Sequence, residues 1–561
     1  MESNFSMIRR RTSDLLQNAK GNMPSKFPQI PSKFPQIPSN FPQMPSLPFG
    51  KEKTIDGTWE RVSVPPLPRS SHSLNIISGS AYIFGGEINP REPVDNDMHV
   101  ITLPWSSAGA DYYRIKPVAA KPEEPAPTTA ETGSGTPTEE APVETEEKDM
   151  DEVPLKEEET SEDKGKGKEP AARDESHKND VPEARVGHAT ASIGSRIFLF
   201  GGRGGPDMKP LEEAGRVWVF DTRANTWTYL DPVPAVKGGT IVPHPAARSY
   251  HCATSTDRPR DFAKPPPRQP TNWRQRIIGD TSRTGIPQDP IVGNVAEDAV
   301  DQESEGYGTF FVHGGCLANG ERTNDLWAFN VHTKTWTELP AAPGPARGGT
   351  AICISKSRLF RFGGYDGEKE VGGQLDFLHL EVEMFDDKVS KGEVAIHARG
   401  GWQTIVQNNP DASSSEIPVE PVQAWPAPRS VASFHALTIG GGTEYLVLAM
   451  GEGSPSSEGH AGAGKFHGDV WTFQVPPLGM TPASFTHAVW QAMGRKTGEG
   501  KWQRVLTAPY DDDDDFDEQP GPRGWLASAV MTDLEESAIV ISGGLSEGNE
   551  RLGDAWILRL G

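Results

Sequence analysis

Apolar and polar positions alternate in short bursts along much of the chain, and the stretch RVGHATASIGSRIFLFGGRGGPDMKPLEEAGRVWVFDTRANTWTYL, from Arg185 to Leu230, shows the pattern at its plainest. His188 to Ile193 predicts a first strand ended by a Gly-Ser turn, and Arg196 to Phe200 predicts an apolar second strand stopped by Gly201 and Gly202. After a polar loop, Arg216 to Phe220 predicts a third strand closing on Asp221, and a turn through Ala224 and Asn225 leads to a fourth that carries Trp227. A sheet this small cannot bury both of its faces alone and needs neighbours of its own kind, which is the situation of a propeller blade.

The landmarks recur: an arginine opening the first strand, often a histidine three residues on, Gly-Gly ending the second, an aspartate at the third and a tryptophan in the fourth. Copy one has Arg69, His72, Gly85, Gly86 and Asp97, with Tyr112 or Tyr113 at the tryptophan position, and copy two is the stretch above. Copy three has Arg248, His251, Gly314, Gly315, Asp325, Trp327 and Trp336; copy four has Arg347, Gly363, Gly364, Asp376 and Trp402. Copy five has Arg429, a displaced His435, Gly451 followed by Glu452, then Asp469, Trp471 and Trp502. Copy six has Arg523, Gly543, Gly544, Asp554 and Trp556, and reaches Gly561 before a fourth strand. Thr58 to Val64, with Trp59, is expected to supply that strand from the other end and close the ring, leaving no open sheet edge.

Composition adds the inserts. With 59 Gly, 51 Pro and 35% hydrophobic residues in 561, the chain reads as strands and turns interrupted by long polar segments. Residues 1–57 carry PSKFPQI from Pro24 and again from Pro31, then PSNFPQM, a proline density that excludes helix and sheet and predicts a disordered, polyproline-like tail. Its evenly spaced Phe27, Phe34 and Phe41 would suit multivalent docking to an aromatic-lined groove. The propeller is expected over 58–561, interrupted by an acidic disordered insert at 118–184, loops at 257–306 and 381–400, and a loop at 477–500 in which Phe485, Val489 and Met493 predict a short helix. Strand parity puts the 118–184 insert, Gly453 to Lys465 and the run Asp511 to Asp515 on one face, the upper face, with the loops that join second to third strands.

A net charge of −23 opposes the phosphates of nucleic acid and excludes non-specific binding to it. Cys252, Cys316 and Cys353 have neither disulfide pairing nor zinc-ligand spacing, as suits a reducing compartment. No apolar run is long enough for an integral membrane segment, and no apolar core follows Arg9 to Arg11 as in a secretory signal, so a cytoplasmic location is expected, with the nucleus as the alternative.

FGG in copies one, two and four, the related VHGG and ISGG, and NDLWAFNVHTKTW in copy three resemble kelch repeats. The expected fold is therefore all-β, a six-bladed kelch β-propeller closed by an N-terminal strand; the resemblance implies that the first strands line a central channel. The six arginines Arg69, Arg185, Arg248, Arg347, Arg429 and Arg523 would then ring the upper mouth of that channel. Always charged and planar, they would bind a carboxylate, sulfate or phosphate, or the acidic side chains of a partner, unless each is paired with a carboxylate or carbonyl of its own blade.

Within the kelch family, YIFGGEINPREPVDNDMHV, ARGGTAI, RSV at Arg429 and PRGWLASA resemble the plant nitrile-specifier, epithiospecifier and thiocyanate-forming proteins. That likeness implies ferrous iron, Fe(II), held by a Glu, an Asp and a His, with arginines that recognise the sulfate of a sulfated thiohydroximate. The nearest set here is Glu370, Asp376 and His379 in GGYDGEKEVGGQLDFLHL, with Glu368 as the alternative to Glu370; Asp376 also occupies the blade aspartate position shared by Asp325, Asp469 and Asp554. A copper site like that of galactose oxidase, which shares a kelch-type ring, needs a Tyr cross-linked to a Cys, and no such set surrounds the three cysteines. GGRGG at Gly201 to Gly205 follows a strand without opening a helix and belongs to the blade, not to a phosphate loop.

Two functions follow as expectations. One is a non-catalytic scaffold without a cofactor, which binds an acidic protein or peptide, or another anionic ligand, at an arginine-ringed mouth. The other is an iron-dependent specifier-like protein acting on a small anionic metabolite.

Overall fold

The computed structural model describes residues 55–104, 109–120, 180–236, 238–256, 308–382, 395–407, 424–439, 442–457, 462, 464–476, 500–510, 519–531 and 538–561. The proline-rich repeats, the run Asp511 to Asp515 and most of the inserts at 118–184, 257–306, 381–400 and 477–500, with the helix expected in the last, lie outside the described residues.

Among the described residues every regular element is a strand, and no helix is long and apolar enough to cross a membrane. The sheets begin at the inner strands Ser73–Ile77, Ala189–Ile193, Cys252–Thr256, Ala351–Ser355, Ser433–Ile439 and Ala527–Met531. These strands neighbour one another in that order, and the last returns to the first, so the sheets stand as blades around a ring. Within each blade, antiparallel pairing carries the chain outward; blade two runs Ala189–Ile193, Arg196–Phe200, Val217–Asp221, Thr226–Leu230.

The second strand of a blade reads as an unbroken apolar run because both of its faces meet another blade. In Arg196–Phe200, Ile197 and Leu199 pack with Tyr82 and Phe84 of blade one, while Phe198 and Phe200 pack with Phe310 and Trp336 of blade three. Each seam between blades holds one such cluster of buried apolar side chains. Each large side chain buried in this way contributes roughly 1.5–3 kcal/mol.

Closure uses the expected N-terminal strand, which begins two residues earlier, at Asp56. Asp56–Arg61 pairs antiparallel with Ala555–Leu560, setting Thr58 opposite Arg559 and burying Trp59 in the seam between blades five and six. The outer strand of blade five, Trp502–Pro509, adds a link that the repeat pattern does not predict. Its first half pairs with Val470–Gln474 of its own blade, and its second half runs parallel to Asp56–Trp59. That pairing covers an edge that would otherwise present free backbone groups.

Two belts of backbone hydrogen bonds circle the ring. The residue two places after each repeat arginine, namely Ser71, Gly187, Tyr250, Gly349, Val431 and Trp525, has a φ of 46° to 64°. Its amide donates to the carbonyl of its counterpart in the preceding blade at 2.7–3.2 Å, and the circuit closes from Ser71 to Trp525. In the second belt the carbonyl of each repeat arginine accepts a bond from the amide that ends the preceding blade's second strand, as from Gly86 to Arg185 and from Gly544 to Arg69, both 2.9 Å. The glycines are required by this approach: a Cβ on Gly85 would stand 2.6 Å from the Arg185 carbonyl oxygen.

Candidate binding site at the channel mouth

The six repeat arginines lie inside the blades, each no more than 3% exposed. Their Nη1 atoms donate to the carbonyls of Gly85, Gly201, Gly314, Gly363, Met450 and Gly543 at the ends of their own second strands. Four are also clasped by carboxylates: Arg185 by Glu213, Arg248 by Asp325, Arg429 by Asp469 and Arg523 by Asp554. Arg69 reaches the His99 ring at 3.2 Å, and Arg347 lies 3.9 Å from Asp376. The expectation that Arg69, Arg185, Arg248, Arg347, Arg429 and Arg523 would present charge to a ligand is thereby corrected. Each guanidinium fastens its own blade while its carbonyl fastens the preceding one, which is the physical reason for the repeat.

The mouth is built from the neighbouring positions. A cavity of about 330 Å³ opens there, lined by the residue that follows the second-strand glycines in every blade: Glu87, Arg203, Cys316, Tyr365, Glu452 and Leu545. Each of these is held by an antiparallel bridge to the residue just after the repeat arginine, so the six backbones are fixed while the side chains differ. A second set lies on the returning loops, where Arg322, Glu370 and Arg551 bridge to Cys316, Tyr365 and Leu545. Tyr250 and Trp525 come from opposite sides of the ring and meet edge to face with centroids 5.2 Å apart.

Charge is unevenly distributed around this rim. On blades six and one, Arg551 and Glu87 form an ion pair at 3.3 Å. On blades two and three, Arg203 lies over the Tyr250 ring and donates to the Ser249 hydroxyl, and Arg322 lies over the Tyr365 ring. Among the described residues neither is salt-bridged to a carboxylate. On blades four and five the wall is carboxylic. Burial pushes the Glu370 carboxyl up to about 8, opposed by the Ser430 hydroxyl and Arg322 and reinforced by Glu452 and Asp366, and burial pushes Glu452 up to about 7 against the Trp525 indole. At neutral pH the rim therefore holds unneutralised arginine charge beside carboxyl groups that keep much of their proton.

The residues Glu370, Asp376 and His379 do not come together. Glu370 lines the cavity, whereas Asp376 is buried under hydrogen bonds from Arg361 Nε (3.0 Å), Gln374 (3.2 Å) and Thr404 (2.7 Å). His379 stands three residues further along the same strand, hence on its opposite face, beside Phe377. Glu368, the alternative ligand, is exposed on the loop just before Glu370. Among the described residues no three His, Cys, Asp or Glu side chains are grouped to hold a metal ion, and the expected ferrous set does not fit.

Arg203, Arg322, Glu452 and Trp525 were not singled out as ligand-facing by the repeat comparison, because the eye falls on letters that recur. The signal that finds Arg203, Glu452 and Trp525 is the reverse: positions beside a recurring landmark at which the residue varies from copy to copy.

The Kelch motif matches residues 184–234 and 306–343. Along nearly its full length the chain is similar to N-(sulfonatooxy)prop-2-enimidothioate sulfolyase of Thlaspi arvense, 20% identical over 515 residues, 89% of this chain and 96% of that one. Kelch domain-containing protein 3 of Bos taurus is 26% identical over 224 residues, 37% of this chain and 55% of its own length, so the chain spans about half of that relative. The solved structure of YjhT aligns over 88% of this chain and 95% of that one, at 11% identity and a TM-score of 0.43.

Proposed function

Since this chain carries kelch repeats on a kelch β-propeller, we propose that it is a binding protein whose channel mouth takes an anionic group, a carboxylate, sulfate or phosphate, of a small metabolite or a peptide. The observation that carries this reading is the contrast between two sets of arginines. The six in the repeat are enclosed and bonded to their own blades, while Arg203 and Arg322 line an open cavity with no carboxylate salt bridge among the described residues. Stacking on an aromatic ring leaves in-plane guanidinium donors available to a planar or tetrahedral anion; Arg203 gives its Nε and Nη2 to the Ser249 hydroxyl and would meet the anion mainly through Nη1. Calorimetric titration with sulfate and with glutarate tests it: saturable binding that is lost in Arg203→Ala and Arg322→Ala supports the reading, and binding that survives both substitutions overturns it.

A second reading rests on the sulfolyase similarity, which spans 89% of this chain. The relative's substrate, by its name, carries a sulfonatooxy group, and such a group is an anion of the kind the mouth would hold. On this reading the protein acts on a small sulfated metabolite, with iron as the family resemblance implies but not on Glu370, Asp376 and His379. Incubating the protein with N-(sulfonatooxy)prop-2-enimidothioate, with and without ferrous iron, decides it. Product formation at the protein-free rate in both arms removes the reading.

A further inference from the structure

We propose that the wall formed by blades four and five is a subsite for a hydrogen-bond-donating cation, so that the ligand of this mouth is a small amphoteric molecule with an ammonium or guanidinium group against Glu370 and Glu452 and its anionic group at Arg203 and Arg322. The anionic half rests on the function proposed above; the cationic half stands on separate observations.

Glu370 is 8% exposed and lines the cavity, yet neither carboxyl oxygen has a hydrogen-bond partner. Glu452, 6% exposed on the adjoining blade, takes the Trp525 indole N–H at 3.1 Å. A buried carboxyl group without donors is uncommon because it forfeits its hydration with no replacement. The third carboxylate of the rim shows the usual arrangement: Glu87 is met by Arg551 and by the Arg91 amide at 2.8 Å. Glu370 thus differs from its counterpart in what it lacks, which is a donor arriving from the cavity side.

Within the chain only the Ser430 hydroxyl approaches Glu370 as a donor, near enough to lower its pKa but outside hydrogen-bond geometry. The cation on the neighbouring loop, Arg322, has its guanidinium carbon 5.0 Å from the centre of the Tyr365 ring and makes no hydrogen bond to Glu370. An alkylammonium or guanidinium entering from the cavity would give Glu370 its missing donor and relieve the repulsion between the two carboxyls. The volume of about 330 Å³ is at the lower end of ligand pockets and suits a small molecule more than a folded partner. The alternation around the rim, two arginines followed by two carboxyls, with the remaining charges paired to each other, gives such a ligand one orientation.

The test uses the full chain and a series of ω-amino acids from β-alanine to 6-aminohexanoate, each beside the carboxylate and the alkylammonium ion of matching length, with binding read by calorimetry and by Trp525 fluorescence. The expected result is that one length of zwitterion binds roughly tenfold or more tighter than its matching carboxylate, as a charge-assisted hydrogen bond allows. The double variant Glu370→Gln, Glu452→Gln, nearly the same size and checked for a cooperative melting transition, should abolish that advantage without weakening carboxylate binding. Equal binding of zwitterion and carboxylate at every length, no binding by any of the series, or an advantage that survives the double variant overturns the proposal. If alkylammonium ions alone bind in a glutamate-dependent way while carboxylates do not bind, the amphoteric ligand is overturned through its anionic half, and the function proposed above falls with it.

Discussion

Tyr250 and Trp525 belong to blades three and six, as far apart as the ring allows, yet their side chains touch with centroids 5.2 Å apart. Both occupy the innermost hydrogen-bonded belt, at φ values of 55° and 57° that non-glycine residues rarely adopt. The left-handed backbone aims each ring inward across the channel, where the two form one surface of the cavity. This contact should be sensitive to a neighbour: a Cβ on Gly187, at φ 64°, would stand 2.6 Å from the Tyr250 ring. Gly187→Ala is expected to lower stability by about 1–3 kcal/mol in urea denaturation and to change the Trp525 emission. An unchanged spectrum would show that the rings do not depend on this approach.

The two classes of arginine should separate by experiment. Arg248→Ala leaves the largely buried Asp325 without its partner at 2.7 Å and should cost about 3 kcal/mol of stability. Arg203→Ala, at the half-buried rim, should change stability by less than about 1 kcal/mol while abolishing sulfate binding. Denaturation and titration of the same two variants provide the check, and reversal of the pattern would return the ligand to the repeat arginines.

Stability should fall with acid. Burial, with nearby arginines, holds His72 and His188 well below the usual histidine value, His251 and His313 near 3, and burial alone holds His435 near 4. Each is neutral in the fold but takes a proton when unfolded from about pH 6.5 downward, so each removes about 1.4 kcal/mol per pH unit below that. Glu370 and Glu452 act in the opposite sense. With folded values of about 8 and 7 they hold protons more tightly in the fold, and their contribution rises as pH falls from 8 toward the unfolded glutamate value. Melting temperature is therefore expected to peak near pH 6.5 and drop steeply toward pH 4. A flat profile over that range would mean that these histidines are reached by solvent.

Ligand binding should depend on pH in two opposed ways. Raising the pH from 6 to 9 charges Glu452 and then Glu370, whose surroundings are Arg322, Asp366 and the Trp525 indole. Affinity for a simple carboxylate should fall, since negative charge accumulates beside Arg322. Affinity for an ω-amino acid, whose amine stays protonated over most of this range, should rise until the amine titrates. Titrations at both pH values with each probe test this, and parallel trends would contradict it.

Asp376 should prove to be a structural residue. Arg361 is fully buried against it, so Asp376→Ala is expected to cost about 3–5 kcal/mol. His379→Ala should leave both stability and iron content unchanged after anaerobic reconstitution with ferrous iron. Stoichiometric iron that disappears with His379 would overturn this assignment.

The fold was legible because its determinants repeat. Gly-Gly marks the places where one blade's backbone meets the next, the arginine marks the clasp that holds them, and the apolar second strands mark burial on both faces. Even Trp59, detached from its blade in sequence, announced the missing strand by the letter shared with Trp336 and Trp227. The site was less legible for the same reason. Symmetry recommended the repeat arginines as ligands, but a residue needed in every blade answers to a requirement of every blade, and their burial shows what it is. Asp376 misled in the same way, as a blade aspartate beside a histidine on the wrong face of its strand. Glu370 alone of the proposed metal set lies at the mouth, where the ring brings it beside Glu452, 82 residues away in the chain.

The ring is fastened by a strand made first and a strand made last. Glu60 and Arg559, joined by a salt bridge where the two strands pair, are 499 residues apart. At a synthesis rate of roughly 5–20 residues per second, the strand that holds Glu60 waits about half a minute or more for its partner to be made. Through that interval the earlier blades stand as an open arc, with Trp59 unburied and one apolar face of blade one uncovered. The nascent chain is therefore most in need of chaperones just before the strand that holds Arg559 is made, when most of the ring is folded and still open.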